Sequence, residues 1–107
     1  MSASTTSIYS IFGDDPDLGE LVEMFVAEMP DRIERLMLLY DEGDYSELRR
    51  NAHQLKGAAG SYGFQPISPA AGQLEASLKA ERSEEQIKND LDALLDLCRR
   101  VRAGASA

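Results

Sequence analysis

Residues 44–63 read Asp44-Tyr45-Ser46-Glu47-Leu48-Arg49-Arg50-Asn51-Ala52-His53-Gln54-Leu55-Lys56-Gly57-Ala58-Ala59-Gly60-Ser61-Tyr62-Gly63. Tyr45, Leu48, Ala52, Leu55, Ala59 and Tyr62 recur at alternating steps of three and four, the period of one helix face. Asp44 with Glu47 three residues on resembles a capping box, an acid replacing the usual hydroxyl. Gly63 is placed to terminate the helix. The other face carries Ser46, Arg49, Arg50, His53, Lys56, Gly57 and Gly60. None of these is large and apolar. His53, the only histidine of the chain, is therefore expected mid-helix and facing solvent.

The same period extends in both directions. Upstream, residues 1–13 form an arm whose Ile8, Ile11 and Phe12 are expected to tuck against the core. Asp15-Pro16 reads as an N-cap followed by proline at the first helical position. Leu18, Leu21, Val22, Phe25 and Met29 then form a helix face. Pro30 is expected to kink or end that helix, with Asp31 opening another that buries Ile33, Leu36, Met37 and Tyr40. Gly43 stands where a C-terminal glycine belongs.

Downstream, residues 64–69 read as a turn, and Ser68-Pro69 as the opening of a helix with Ala71, Leu74 and Leu78 inside. Ser83 with Gln86 is a second capping box. It precedes a helix that buries Ile87, Leu91, Leu94, Leu95, Cys98 and Val101. No strand pattern competes. The expected fold is all-α: an antiparallel four-helix bundle with a short N-terminal arm or helix. A single domain spans 1–107, its core about 6–102, with residues 103–107 a flexible tail. Met24, Met29 and Met37 read as core filler, and Cys98 as a buried, inert thiol.

Composition narrows the function classes. The 107 residues suffice for one domain, and 43% hydrophobic with 28% charged residues suits a globular chain. The net charge of −8 argues against nucleic acid and anionic membrane surfaces, which call for a basic face. Eleven acids against two bases lie between Asp14 and Asp44. Arg49, Arg50 and Lys56, by contrast, flank His53. One cysteine rules out an internal disulfide and suggests a reducing compartment. The N-terminus lacks the basic and apolar regions of a secretion signal, so the expected location is the cytoplasm. With no second histidine and a distant cysteine, no zinc site is expected.

The His53 face carries the chemistry. Each glycine inside a helix costs about 1 kcal/mol relative to alanine. Gly57 and Gly60 therefore weaken the helix by about 2 kcal/mol while offering bare backbone beside the imidazole, where a partner can approach closely. A phosphoryl group on histidine would bring negative charge that Lys56 is positioned to meet, with Arg49 and Arg50 on the other side. The attacking group must be neutral imidazole, the form that neighbouring cations favour. Close helix packing is the alternative use of the glycines, and a solvated face the alternative reading of Arg49 and Arg50.

The run from Ala52 to Gly63 resembles the signature of histidine-containing phosphotransfer (HPt) domains, A-H-x-L-K-G-x-x-x-x-x-G, and is identified on that basis as a member of the family. The likeness spans about residues 6–102. It implies a phosphorelay carrier rather than an enzyme. A response-regulator receiver domain bearing phospho-aspartate would dock on this helix, and His53 would attack through Nε2. The phosphoryl group would then pass to a second receiver. Lys56 would stabilise the phosphoryl group, and Gly57, Gly60, Arg49 and Arg50 would receive the partner. Mg²⁺ would belong to the receiver, so no cofactor is expected on this chain. A hybrid histidine kinase is a further possible partner, and the carrier is expected to be a monomer. The start at Met1 and the short tail favour a free-standing protein over a domain cut from a kinase. The alternative function is a non-covalent helical adaptor of the same fold, which would have no need of a histidine.

Overall fold

The computed structural model describes residues 6–104. The part of the arm at 1–5 and the tail from 105 lie outside the described residues. Four helices follow in order: α1 (Gly19–Asp41), α2 (Tyr45–Ser61), α3 (Ile67–Lys79) and α4 (Glu84–Cys98). Short connections join them, so successive helices run antiparallel. Ring contacts fix the first pair. Phe25 near the start of α1 meets Tyr62 at the end of α2 at 5.5 Å, and Tyr40 at the end of α1 meets Tyr45 at 6.1 Å. The fold class is the all-α bundle that the helical periods predict.

The caps act where the sequence places them. The Asp44 carboxylate accepts the Glu47 N–H at 3.2 Å, and the Ser83 hydroxyl accepts the Gln86 N–H at 3.1 Å. Gly43 and Gly63 take φ of +72° and +79°, left-handed values that favour glycine. Asp15 accepts the N–H groups of Asp17 and Leu18 at 2.7 and 3.0 Å. It thus caps a turn ahead of α1, whose regular span begins at Gly19.

Several expectations fail, each for a tertiary reason. Pro30 does not end a helix and Asp31 does not start one, because α1 runs unbroken for 23 residues. Proline inside a helix costs about 3 kcal/mol. Burial of Val22, Phe25 and Met29 before it and of Leu36 and Leu39 after it offsets that cost. The α1 face is also rotated from the one expected. Leu39 is buried, while Leu21, Met24 and Met37 are exposed, so only Met29 of the three methionines fills the core. Ser68 does not open α3, which starts at Ile67. Phe64 and Ile67, within the expected turn, are both fully buried.

Val101 does not belong to the last helix, and a strand pair does form. β1 (Ile8–Tyr9) pairs in parallel with β2 (Val101–Arg102), Ile8 opposite Val101. This pins the arm across the bundle. Ile8 is buried as expected, but Ile11 is 60% exposed. The Ser10 hydroxyl donates to the Tyr62 carbonyl and accepts the Phe12 N–H at 2.9 Å, anchoring the arm to the end of α2. A Cβ at Gly63 would stand 2.8 Å from atoms of Ser10, Ile11 and Phe12, a second reason for glycine there.

The α2–α3 interface is the most extensive of the bundle. Small residues bring these helices together: Ala52 and Ala59 on α2 and Ala71 on α3 are completely buried. That closeness sets the geometry of His53.

Candidate functional site

α2 buries Leu48, Ala52, Leu55 and Ala59 and so turns His53 outward, its side chain 66% exposed. The ring is nonetheless held. Nδ1 lies 2.8 Å from Oε2 of Glu75 on α3. The other oxygen of the same carboxylate, Oε1, lies 3.3 Å from Lys56 Nζ. One glutamate, only 23% exposed, thus joins the histidine to the lysine one turn away.

Competing effects set the ionisation of Glu75. Desolvation pushes its carboxyl up, but the hydrogen bonds and positive charge of His53 and Lys56 outweigh it and hold the carboxyl below the ordinary glutamate range. An ionised carboxylate can only accept hydrogen bonds, so Nδ1 carries the hydrogen. In the neutral ring the lone pair then resides on Nε2. No hydrogen bond occupies Nε2 among the described residues. The contact with Glu75 fixes the orientation of the ring from behind.

The glycines divide in role. A Cβ at Gly57 would meet nothing within 4 Å, so bare backbone opens to solvent one turn past His53. Gly60 is less open: a Cβ there would touch Ser68 Oγ at 3.6 Å. Ser68 itself donates to the Lys56 carbonyl at 3.1 Å, tying the start of α3 to α2. Gly72 on α3 makes room for Lys56, since a Cβ there would stand 3.1 Å from Lys56 Cδ.

The two arginines do not converge on His53. Arg50 pairs with Glu47 on its own helix at 3.7 Å. It lines a polar hollow with Arg32 and Arg35 on the α1 side. Arg49 borders a different hollow, with Leu78 and Ile87 on the α3–α4 side. His53 and Lys56 are therefore the expected residues that the fold brings together, through Glu75.

Sequence reasoning missed Glu75, Gly72 and Ser68. For Glu75 a signal existed, because it is the only charged residue between Lys56 and Lys79. Among the described residues no cluster of three or more His, Cys, Asp or Glu could hold a metal ion. No helix of the described residues is long and apolar enough to cross a membrane.

No curated protein and no solved structure matches the chain. A family model described as Hpt domain matches residues 20–104, a span that contains all four helices but the first residue of α1.

Proposed function

The chain belongs to the Hpt domain family, whose members transfer phosphoryl groups in two-component and phosphorelay signalling, and from that premise we propose that His53 Nε2 is the phosphoryl acceptor of a cytoplasmic phosphocarrier. The donor is a receiver-domain phospho-aspartate and the final acceptor an aspartate of another receiver. The observation that carries this reading is the Glu75–Nδ1 hydrogen bond of 2.8 Å behind an exposed Nε2.

In the transfer, Nε2 bonds to phosphorus as the aspartyl oxygen–phosphorus bond breaks. The aspartate leaves as a carboxylate. No proton need move, because the attacking nitrogen carries none. Positive charge grows on the ring as its lone pair is used, and the Glu75 carboxylate at Nδ1 offsets that charge. Glu75 acts through His53 and is a positioning residue. Lys56 lies on the same side of α2 and can turn from Glu75 to the arriving phosphoryl oxygens. Gly57 leaves room for the receiver, which supplies Mg²⁺ and the remaining catalytic groups. Transfer onward is the same reaction reversed on a second receiver.

Incubation with a phosphorylated receiver domain tests the reading. The expected product is an acid-labile, base-stable phosphate on this chain, absent in His53→Gln. If wild-type protein stays unlabelled with cognate receivers that it binds, the chain is a non-covalent adaptor and the proposal falls.

A further inference from the structure

A second surface lies away from His53. Val26, Pro30, Ile33 and Met37 follow one another along α1 at steps of four, three and four, the spacing of a helix-pairing seam. None of the four is fully buried. Among the described residues a groove of about 770 Å³ runs beside them, between α1 and the C-terminal end of the bundle. Its floor is apolar and sealed by Met29, Cys98 and Val101, each under 5% exposed. Leu38, 50% exposed, stands on its outer edge.

The two walls carry opposite charges. Glu34 and Asp41 stand on the α1 side, and Arg99 and Arg102 on the other. No ion pair spans the groove among the described residues. Arg99 reaches instead to the thioether sulfur of Met37 at 3.6 Å, and Arg102 donates to the carbonyls of Arg99 and Val101. Among the described residues neither guanidinium has a carboxylate partner, in a chain with 19 acids.

We propose that this groove docks an amphipathic α-helix of a partner protein, its apolar stripe bordered by carboxylates facing Arg99 and Arg102 and by Lys or Arg facing Glu34 and Asp41. The 4-3-4 seam spans about 16 Å at 1.5 Å per residue, three turns of such a helix. A second copy of this chain fits poorly. It carries a net charge of −8, so two copies repel one another. None of the groove residues comes from α2 or α3, the helices that hold His53. A partner seated there leaves the imidazole free, so the chain can be tethered while receivers exchange at the other face. The assignment stands whether or not His53 accepts phosphate.

The test is an NMR titration of the isotope-labelled full chain with a synthetic helical peptide of roughly five turns. The peptide carries leucines at the 4-3-4 spacing, glutamates along one border and lysines along the other. The expected shifts fall on Ile33, Met37, Leu38 and Val101, with His53 and Glu75 unmoved. Arg99→Glu/Arg102→Glu and Met37→Glu should each weaken binding by roughly tenfold or more. All three positions are solvent-facing, and far-UV circular dichroism confirms that the variants fold. A peptide of the same composition with its leucines scrambled should not bind. Equal binding of the scrambled peptide, shifts centred on α2 and α3, or full affinity in the arginine double variant would overturn the proposal. So would self-association of the free chain that Met37→Glu abolishes, which assigns the groove to a second copy.

Discussion

The two helix seams of this bundle are built differently. Between α2 and α3, alanines permit close approach, and polar groups cross the gap: Ser68 to the Lys56 carbonyl, Glu75 to both His53 and Lys56. Between α1 and the end of α4 the residues are bulky, and a groove of about 770 Å³ remains. The closed seam holds His53, whose ring orientation the proposed transfer depends on. The open one has no fixed geometry to defend and leaves apolar surface at the mouth. A four-helix bundle can thus be rigid along one edge and receptive along another, according to residue size and the polar links available.

The largest contrast to check is chemical. Cys98 lines the open seam, yet burial pushes its thiol up to about 12. A thiolate reagent at pH 8 should therefore react about a thousandfold more slowly with the native chain than with the unfolded one. Rapid labelling of native protein would show that the floor of the groove is open to water, not only its mouth.

Next comes packing. Leu55, on the buried face of α2 that backs the closed seam, is 1% exposed, and Leu38 is 50% exposed at the open one. Leu55→Ala should cost about 2–5 kcal/mol in denaturant melts, and Leu38→Ala within about 0.5 kcal/mol. Similar costs would mean that the groove closes in solution.

The Glu75 link is the sharper test of the closed seam. Glu75→Gln keeps an oxygen that can accept the Nδ1 hydrogen bond and removes the charge. A hydrogen bond to a charged group is worth about 1.5–3 kcal/mol, so transfer should slow by roughly ten- to a hundredfold. Its pH dependence carries a sign. The folded carboxyl is held below 4.5, so its stabilising effect is complete above the ordinary glutamate range and is lost as pH falls through the lower, folded value. The stability that Glu75 gives wild type over Glu75→Gln should then vanish only in acid, as pH falls through the folded carboxyl's value. A carbon-detected titration of Glu75 with a midpoint above 4.5 would contradict the link.

These contrasts also explain what the sequence could reveal. The α2 face, the two capping boxes and the left-handed glycines are local patterns, and each is legible within a few residues. His53 and Lys56 share a side of α2 for the same local reason. Pro30 misleads because burial of Phe25, Met29, Leu36 and Leu39 outweighs a local rule. The β1–β2 pair is hidden because Ile8 and Val101 meet only after the bundle has closed. Glu75 lies 22 residues from His53, and helix packing rather than motif spacing brings it there. Its isolation as the sole charge on that stretch is a hint that gains meaning only beside α2.

The smallest effects distinguish two glycines. In a helix interior, glycine to alanine gains up to about 1 kcal/mol. At Gly57 a methyl group meets nothing within 4 Å, so Gly57→Ala should realise that gain in full. Any loss of transfer would then come from the approaching receiver alone. At Gly72 the methyl would stand 3.1 Å from Lys56 Cδ, and the flexible stem must shift by a few tenths of an ångström. Gly72→Ala should therefore gain less stability and lengthen the 3.3 Å contact between Lys56 and Glu75. Transfer should fall by about twofold, with receiver affinity unchanged, because this glycine faces the lysine stem rather than the partner. Thermal melts and transfer rates for the two variants separate the roles. Equal stabilisation of both would show that Lys56 does not lie across Gly72, and the link from α3 to His53 would then rest on Glu75 alone.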